Sequence, residues 1–124
     1  MEWIRISSNK LKIMLTAEDA ARIIKLSAAR RILIKGDAEV SLEAAEVFAN
    51  AKILLLGVES QSVGSENAPM AVHKMLLSAE VALLEGIRLA DVAEGVYFLS
   101  AAPLNLSGAD GSPCRAILID ESAE

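Results

Sequence analysis

Hydrophobic and polar positions change period several times along the chain, and each change marks an element. Trp3-Ile4-Arg5-Ile6 and Leu11-Lys12-Ile13-Met14-Leu15 alternate as two short strands, with Ser7-Ser8-Asn9-Lys10 as the turn between them. Thr16 is a good N-cap, and Glu18 and Asp19 suit the positive end of a helix dipole. A helix is therefore expected to about Leu26, with Ala20, Ile23 and Ile24 inward. Arg31-Ile32-Leu33-Ile34-Lys35 reads as a strand closed by Gly36-Asp37. Ser41 caps a second helix, whose candidate core residues are Leu42, Ala45, Val47 and Phe48. Lys52-Ile53-Leu54-Leu55-Leu56-Gly57-Val58 is the most apolar strand and is expected to be central, with Ile53 to Leu56 mostly buried. A run this apolar is covered on both faces, which favours parallel pairing.

Residues 57–86 break the regular alternation. A polar loop comes first, with Glu59, Ser60, Gln61 and Ser62. Pro69 then suits the first turn of a helix, continued by Met70, Val72, Met75, Leu76 and Leu77 and ended by Ser78-Ala79. Glu80-Val81-Ala82-Leu83-Leu84 reads as a short buried strand. Further on, Ile87, Leu89, Asp91 and Val92 lie in a connection, and Val96-Tyr97-Phe98-Leu99 is a strand. Pro103 to Pro113 is a long loop, Arg115 to Ile119 a last strand, and Asp120 to Glu124 a solvated tail. Strands alternate with helices early and cluster late. The class is therefore α/β: a mixed, partly parallel sheet with flanking helices and an antiparallel edge.

Composition narrows the function. A chain of 124 residues predicts one domain, and 53% hydrophobic with 3% aromatic residues predicts an aliphatic core. The net charge of −5 comes with no basic stripe, so nucleic acid is not an expected partner. The single cysteine, Cys114, has no internal disulfide partner, which fits a reducing compartment. The first residues lack the apolar core of a signal peptide, and no run reaches the ~18 apolar residues of a membrane span. A soluble, cytoplasmic protein is expected.

The candidate chemistry sits in the central stretch. His73 is the only histidine, and Glu85 lies twelve residues on. On one continuous helix the two would be about 18 Å apart, too far to share a ligand. A helix going out and a strand coming back would instead bring them together. A neutral imidazole beside a carboxylate is an ordinary donor set for a divalent metal. A surface histidine and a solvated strand end is the alternative. Glu59, Ser60, Gln61 and Ser62 could face a ligand or bond within their own loop. GSENAP at 64–69 lacks the lysine and spacing of a phosphate loop, and no G-x-S-x-G elbow occurs. With no second histidine to activate it, Cys114 reads as a small buried residue.

Several of these words together resemble the second half of the cyclase family of metal-dependent hydrolases, which includes bacterial kynurenine formamidase (arylformamidase). They are Gly57-Val58-Glu59-Ser60-Gln61-Ser62-Val63, Ala68-Pro69, His73 with Leu76-Leu77, and Leu84-Glu85-Gly86. Gly95-Val96-Tyr97, Pro103-Leu104, Gly108-Ala109-Asp110-Gly111, Pro113 and Arg115-Ala116 continue the match. Leu15 to Ala20 and Arg31 to Lys35 fit upstream, so the resemblance covers roughly residues 14–120. It implies part of a swivelling β/β/α fold, and His73 and Glu85 as ligands of zinc or manganese. It also implies metal-assisted hydrolysis of a small amide: N-formylkynurenine to kynurenine and formate, a step of tryptophan catabolism.

The chain also departs from that pattern. The family's first half carries His-x-Gly-Thr-His-x-Asp and a further histidine, which supply the other ligands and the base. Here residues 1–13, MEWIRISSNKLKI, stand in that place. With the following LTAED they are similar to the start of MecA-type adaptors, which hand substrates to a Clp protease. The organisation expected is a divergent strand segment at 1–13, a cyclase-like domain at 14–120 and a tail at 121–124. Such a chain, whether truncated product, fragment or fusion, is expected to bind metal weakly and to be inactive or weak alone. It is also expected to form a homo-oligomer, because the surface of the missing half would be bare. The alternatives are a non-catalytic binding or adaptor domain, and a sister cyclic-amide hydrolase such as one opening isatin.

Overall fold

The computed structural model describes residues 2–8, 14–27, 30–64 and 69–120. Six strands form one curled sheet in the order β6-β5-β3-β1-β7-β8. They are β1 (Glu2–Ser8), β3 (Arg31–Lys35), β5 (Leu55–Val58), β6 (Ala82–Leu84), β7 (Gly95–Pro103) and β8 (Cys114–Ile119). The first four pair in parallel, and β7 and β8 add an antiparallel edge. The mixed α/β sheet expected from the alternation of elements is the one observed. Three helices, α1 (Ala17–Leu26), α2 (Leu42–Asn50) and α3 (Pro69–Ser78), join successive parallel strands. Two short strands, β2 (Met14–Leu15) and β4 (Glu39–Val40), pair in parallel as a separate ribbon.

Side-chain alternation explains the layering. Ile32 and Ile34 of β3 and Leu56 and Val58 of β5 face the helices. There they meet Ala20 and Ile23 of α1, Ala44, Ala45 and Phe48 of α2, and Val72 and Leu76 of α3. Leu33, between Ile32 and Ile34, points to the opposite face and joins Ile4, Ile6, Leu89 and Leu99. A strand covered on both sides must be apolar at consecutive positions, which is why RILIK is a run rather than an alternation. Gly57 keeps the second layer close: a Cβ there would collide with the Leu33 side chain.

Several expectations are corrected. The expected hairpin of 3–6 with 11–15 is not seen at its described residues: β1 lies between β3 and β7, and Met14-Leu15 (β2) pairs with β4. Asn9 to Ile13 and the tail at 121–124 lie outside the described residues. The strand expected from Lys52 begins at Leu55 and is second in the order, so β3 and β1 are central. Leu54 is 38% exposed, as is Leu42, whereas Ile53 and Leu56 are buried. The expected strand from Glu80 begins at Ala82. Both late starts share one cause. Helix α2 ends with Lys52 N–H bonded to Ala49 O and Ile53 N–H to Phe48 O, and α3 ends with the equivalent bonds of Glu80 to Leu77 and Val81 to Leu76. This is the Schellman cap, with Lys52 (φ 57°) and Glu80 (φ 60°) in the left-handed position usually taken by glycine. Strand β7 runs to Pro103, longer than expected, and Cys114 is exposed rather than buried. No helix among the described residues is long and apolar enough to cross a membrane.

Candidate metal centre

The carboxyl ends of β3, β5 and β6 lie side by side, and the loops leaving them build the site. In parallel sheets this end is where ligands bind. The loop after β5 carries Glu59 to Gly64, and α3 follows and carries His73. The Schellman cap turns the chain back, and β6 delivers Glu85 one residue past its end. His73 Nε2 and Glu85 Oε2 are thereby 3.2 Å apart, with about a quarter to a third of each side chain exposed (25% and 31%). The same Glu85 oxygen accepts the Val63 N–H at 2.8 Å. Val63 is buried, and its carbonyl accepts the Val40 N–H, so this donor is fixed by the core. Glu85 is thus oriented by backbone before anything binds.

The donor set fits part of a divalent metal shell. Two ligands each about 2.1 Å from one ion are about 3.0 Å apart at a right angle and about 3.4 Å apart at the tetrahedral angle. The 3.2 Å between His73 and Glu85 falls in that interval. Among the described residues no group of three or more His, Cys, Asp or Glu side chains converges. The arrangement offers two donors that could face one side of a divalent ion.

The other candidate residues are occupied differently. Glu59 does not point at His73: Oε2 accepts the Gly36 N–H and Oε1 the Leu89 N–H, both at 2.6 Å. The Ser60 hydroxyl donates to Asp37 Oδ1 at 3.0 Å and Ala38 O at 3.1 Å. The Ser62 Oγ accepts the Gly64 N–H at 3.1 Å, and Gln61 is exposed. This loop holds itself and its neighbours in place through the polar groups that the sequence offered to a ligand.

Two residues that sequence reasoning passed over also shape the site. Lys35 Nζ donates to Ala90 O at 3.2 Å and Val92 O at 2.6 Å. With Glu59 it pins the connection 85–94, which passes from β6 to β7 and buries Leu89 in the second core. Val63 holds Glu85. The signal for Lys35 was weak: a lysine at a strand end is commonly solvated. For Val63 there was none, because a backbone donor leaves no trace in residue type.

Comparison with known proteins follows the same lines. No protein-family model matches the chain. Kynurenine formamidase from Erythrobacter litoralis is 39% identical over 80 residues, covering 64% of this chain and 37% of the relative. Cyclase-like protein 2 from Arabidopsis thaliana is 31% identical over 124 residues, covering 93% of this chain and 46% of the relative. A solved structure of a predicted metal-dependent hydrolase from Bacillus stearothermophilus superposes with a TM-score of 0.85 at 30% identity, covering 94% of this chain and 62% of that one. A second, of a potential metal-dependent hydrolase with cyclase activity, gives 0.84 at 30% identity, covering 94% and 64%. The chain spans less than half the length of these two curated relatives.

Proposed function

The chain belongs to the cyclase-like hydrolases, kin to kynurenine formamidases, and from that premise we propose that it supplies one wall of a divalent-metal amide-hydrolase site. His73 Nε2 and Glu85 hold the metal, zinc or manganese. The observation that carries this is the 3.2 Å contact between them, with Val63 N–H bonded to the carboxylate. When bound, a divalent cation supplies a Lewis acid that activates water and polarises an amide carbonyl. The chain's own residues do the rest. Val63 N–H fixes the carboxylate, and α3 carries the imidazole to it. The substrate class is a small aryl formamide, as the names of the relatives suggest, with N-formylkynurenine the first to test.

With two ligands from this chain, a polypeptide bearing the histidine-rich segment completes the shell. Hydrolysis is then measured as formate release, for the chain alone and mixed with that polypeptide, with zinc or manganese added. The mixture is expected to turn over and the chain alone to be weak or silent. His73→Ala abolishes the activity and Cys114→Ala does not. Turnover that survives His73→Ala overturns the assignment. The exposed apolar side chains of Val96, Ile117 and Ile119 support self-association as part of the same reading. One observation favours a second reading, a binding domain without catalysis: no third ligand converges among the described residues. Formate release by the mixture excludes it.

A further inference from the structure

Glu85 is held at two points, and each rests on a serine of the loop after β5. The first point is the backbone. Gly86, the next residue, turns the chain at φ 72° and donates its N–H to Ser60 O at 2.8 Å. Nothing lies within 4 Å of where a Cβ would stand, so the left-handed turn, and not crowding, calls for glycine. Ser60 is itself tied to the turn after β3: its hydroxyl donates to Asp37 Oδ1 at 3.0 Å and Ala38 O at 3.1 Å. Ser60 therefore links the ends of β3 and β6, which flank β5, at the point where Glu85 leaves the sheet. The second point is the carboxylate, whose Oε2 accepts the Val63 N–H at 2.8 Å beside His73. The 63–64 peptide is held at both polar atoms: Ser62 Oγ accepts the Gly64 N–H at 3.1 Å, and Val63 O accepts the Val40 N–H at 3.0 Å. With that peptide fixed and the Val63 side chain fully buried, the Val63 N–H has little freedom to turn away from Glu85.

We propose that Ser60 and Ser62 are positioning residues for Glu85: acting through Gly86 and Val63, they set its carboxylate where it can share an ion with His73. A pair of donors tolerates little error, because a misplaced carboxylate leaves the imidazole alone. Groups bonded directly to a ligand change metal affinity about 10–100-fold, and these serines act one bond further out, so about threefold to tenfold is expected of the pair. The proposal deepens the hydrolase reading and rests on it for the metal. The positioning itself is read without metal.

The experiment compares the parent chain with Ser60→Ala/Ser62→Ala, with Ser60→Thr/Ser62→Thr, and with Gln61→Ala, whose side chain is exposed between the two serines. Amide exchange is measured first, with a chelator present. In the alanine pair the Val63 and Gly86 amides should lose at least about threefold more protection than the core amides of Ile32 and Leu33, a local opening rather than a global one. Manganese is then titrated, and the broadening of the His73 ring-proton signals gives the affinity. It should fall about threefold to tenfold in the alanine pair, return in the threonine pair, which restores both hydroxyls, and stay unchanged in Gln61→Ala. Serines that merely stabilise the fold would move the core amides and leave the affinity of the folded protein where it was. Val63 and Gly86 protection unchanged relative to the core, or equal manganese affinity in the parent and the alanine pair, would overturn the proposal. A parent chain that takes up no manganese, with the two amides still loosened in the alanine pair, supports the positioning of Glu85 and overturns the metal reading instead.

Discussion

Glu59 offers the sharpest test of how the site is built. Its carboxylate accepts two backbone amides from distant parts of the chain, Gly36 after β3 and Leu89 in the 85–94 connection, at 2.6 Å each. Glu59→Ala removes both acceptors at once. A hydrogen bond to a charged group contributes about 1.5–3 kcal/mol, and each amide left without a partner adds a desolvation cost. Both bonds are only part-buried, so water relieves some of that cost. A loss of about 2–4 kcal/mol follows. Unfolding entropy of about 2.1 cal/mol/K per residue gives about 0.26 kcal/mol/K for 124 residues. The midpoint should therefore fall by about 8–15 °C. Glu59→Gln keeps one acceptor and turns an N–H donor towards the other amide, so it should recover less than half. The assays are thermal unfolding by calorimetry and amide exchange. The Gly36 and Leu89 amides should lose protection first, ahead of the core amides of β3. A midpoint shift below about 2 °C, with unchanged exchange at those two amides, would refute the claim that Glu59 buckles the connection in place.

Two further predictions concern the scaffold. Leu56→Ala, at a fully buried position against α2 and α3, should cost about 2–5 kcal/mol in chemical denaturation, and Leu54→Ala, 38% exposed, less than about 1; equal effects would contradict the strand boundary. Lys52→Gly and Glu80→Gly should each raise stability by about 1 kcal/mol, because both residues hold a left-handed backbone that costs other residues more than glycine; a fall in either midpoint would speak against the caps.

These particular residues also show what residue type and order can and cannot reveal. Strand β3 was legible because burial on both faces demands an unbroken apolar run, and α1 because Thr16 and Asp19 form a capping box that residue type announces. The starts of β5 and β6 were not, because Lys52 and Glu80 occupy the position where glycine would have flagged a helix stop. The neighbour of β1 was misjudged because a strand's partner depends on crossovers that local alternation does not encode. In the site, the approach of His73 to Glu85 followed from a helix out and a strand back. The work of Glu59 did not, since its partners are backbone amides contributed by the fold.

The central claim, that His73 and Glu85 share a divalent metal, has one direct measurement. The chain has a single histidine, so its imidazole ring protons are unambiguous in a proton NMR spectrum. Manganese is titrated into the metal-free chain, and into Glu85→Ala. The account predicts saturable broadening of the His73 signals at low manganese, with affinity that drops at least about tenfold in Glu85→Ala, the scale on which a lost ligand or its support weakens a site. Signals that stay sharp through millimolar manganese, or broaden identically in both proteins, would contradict it.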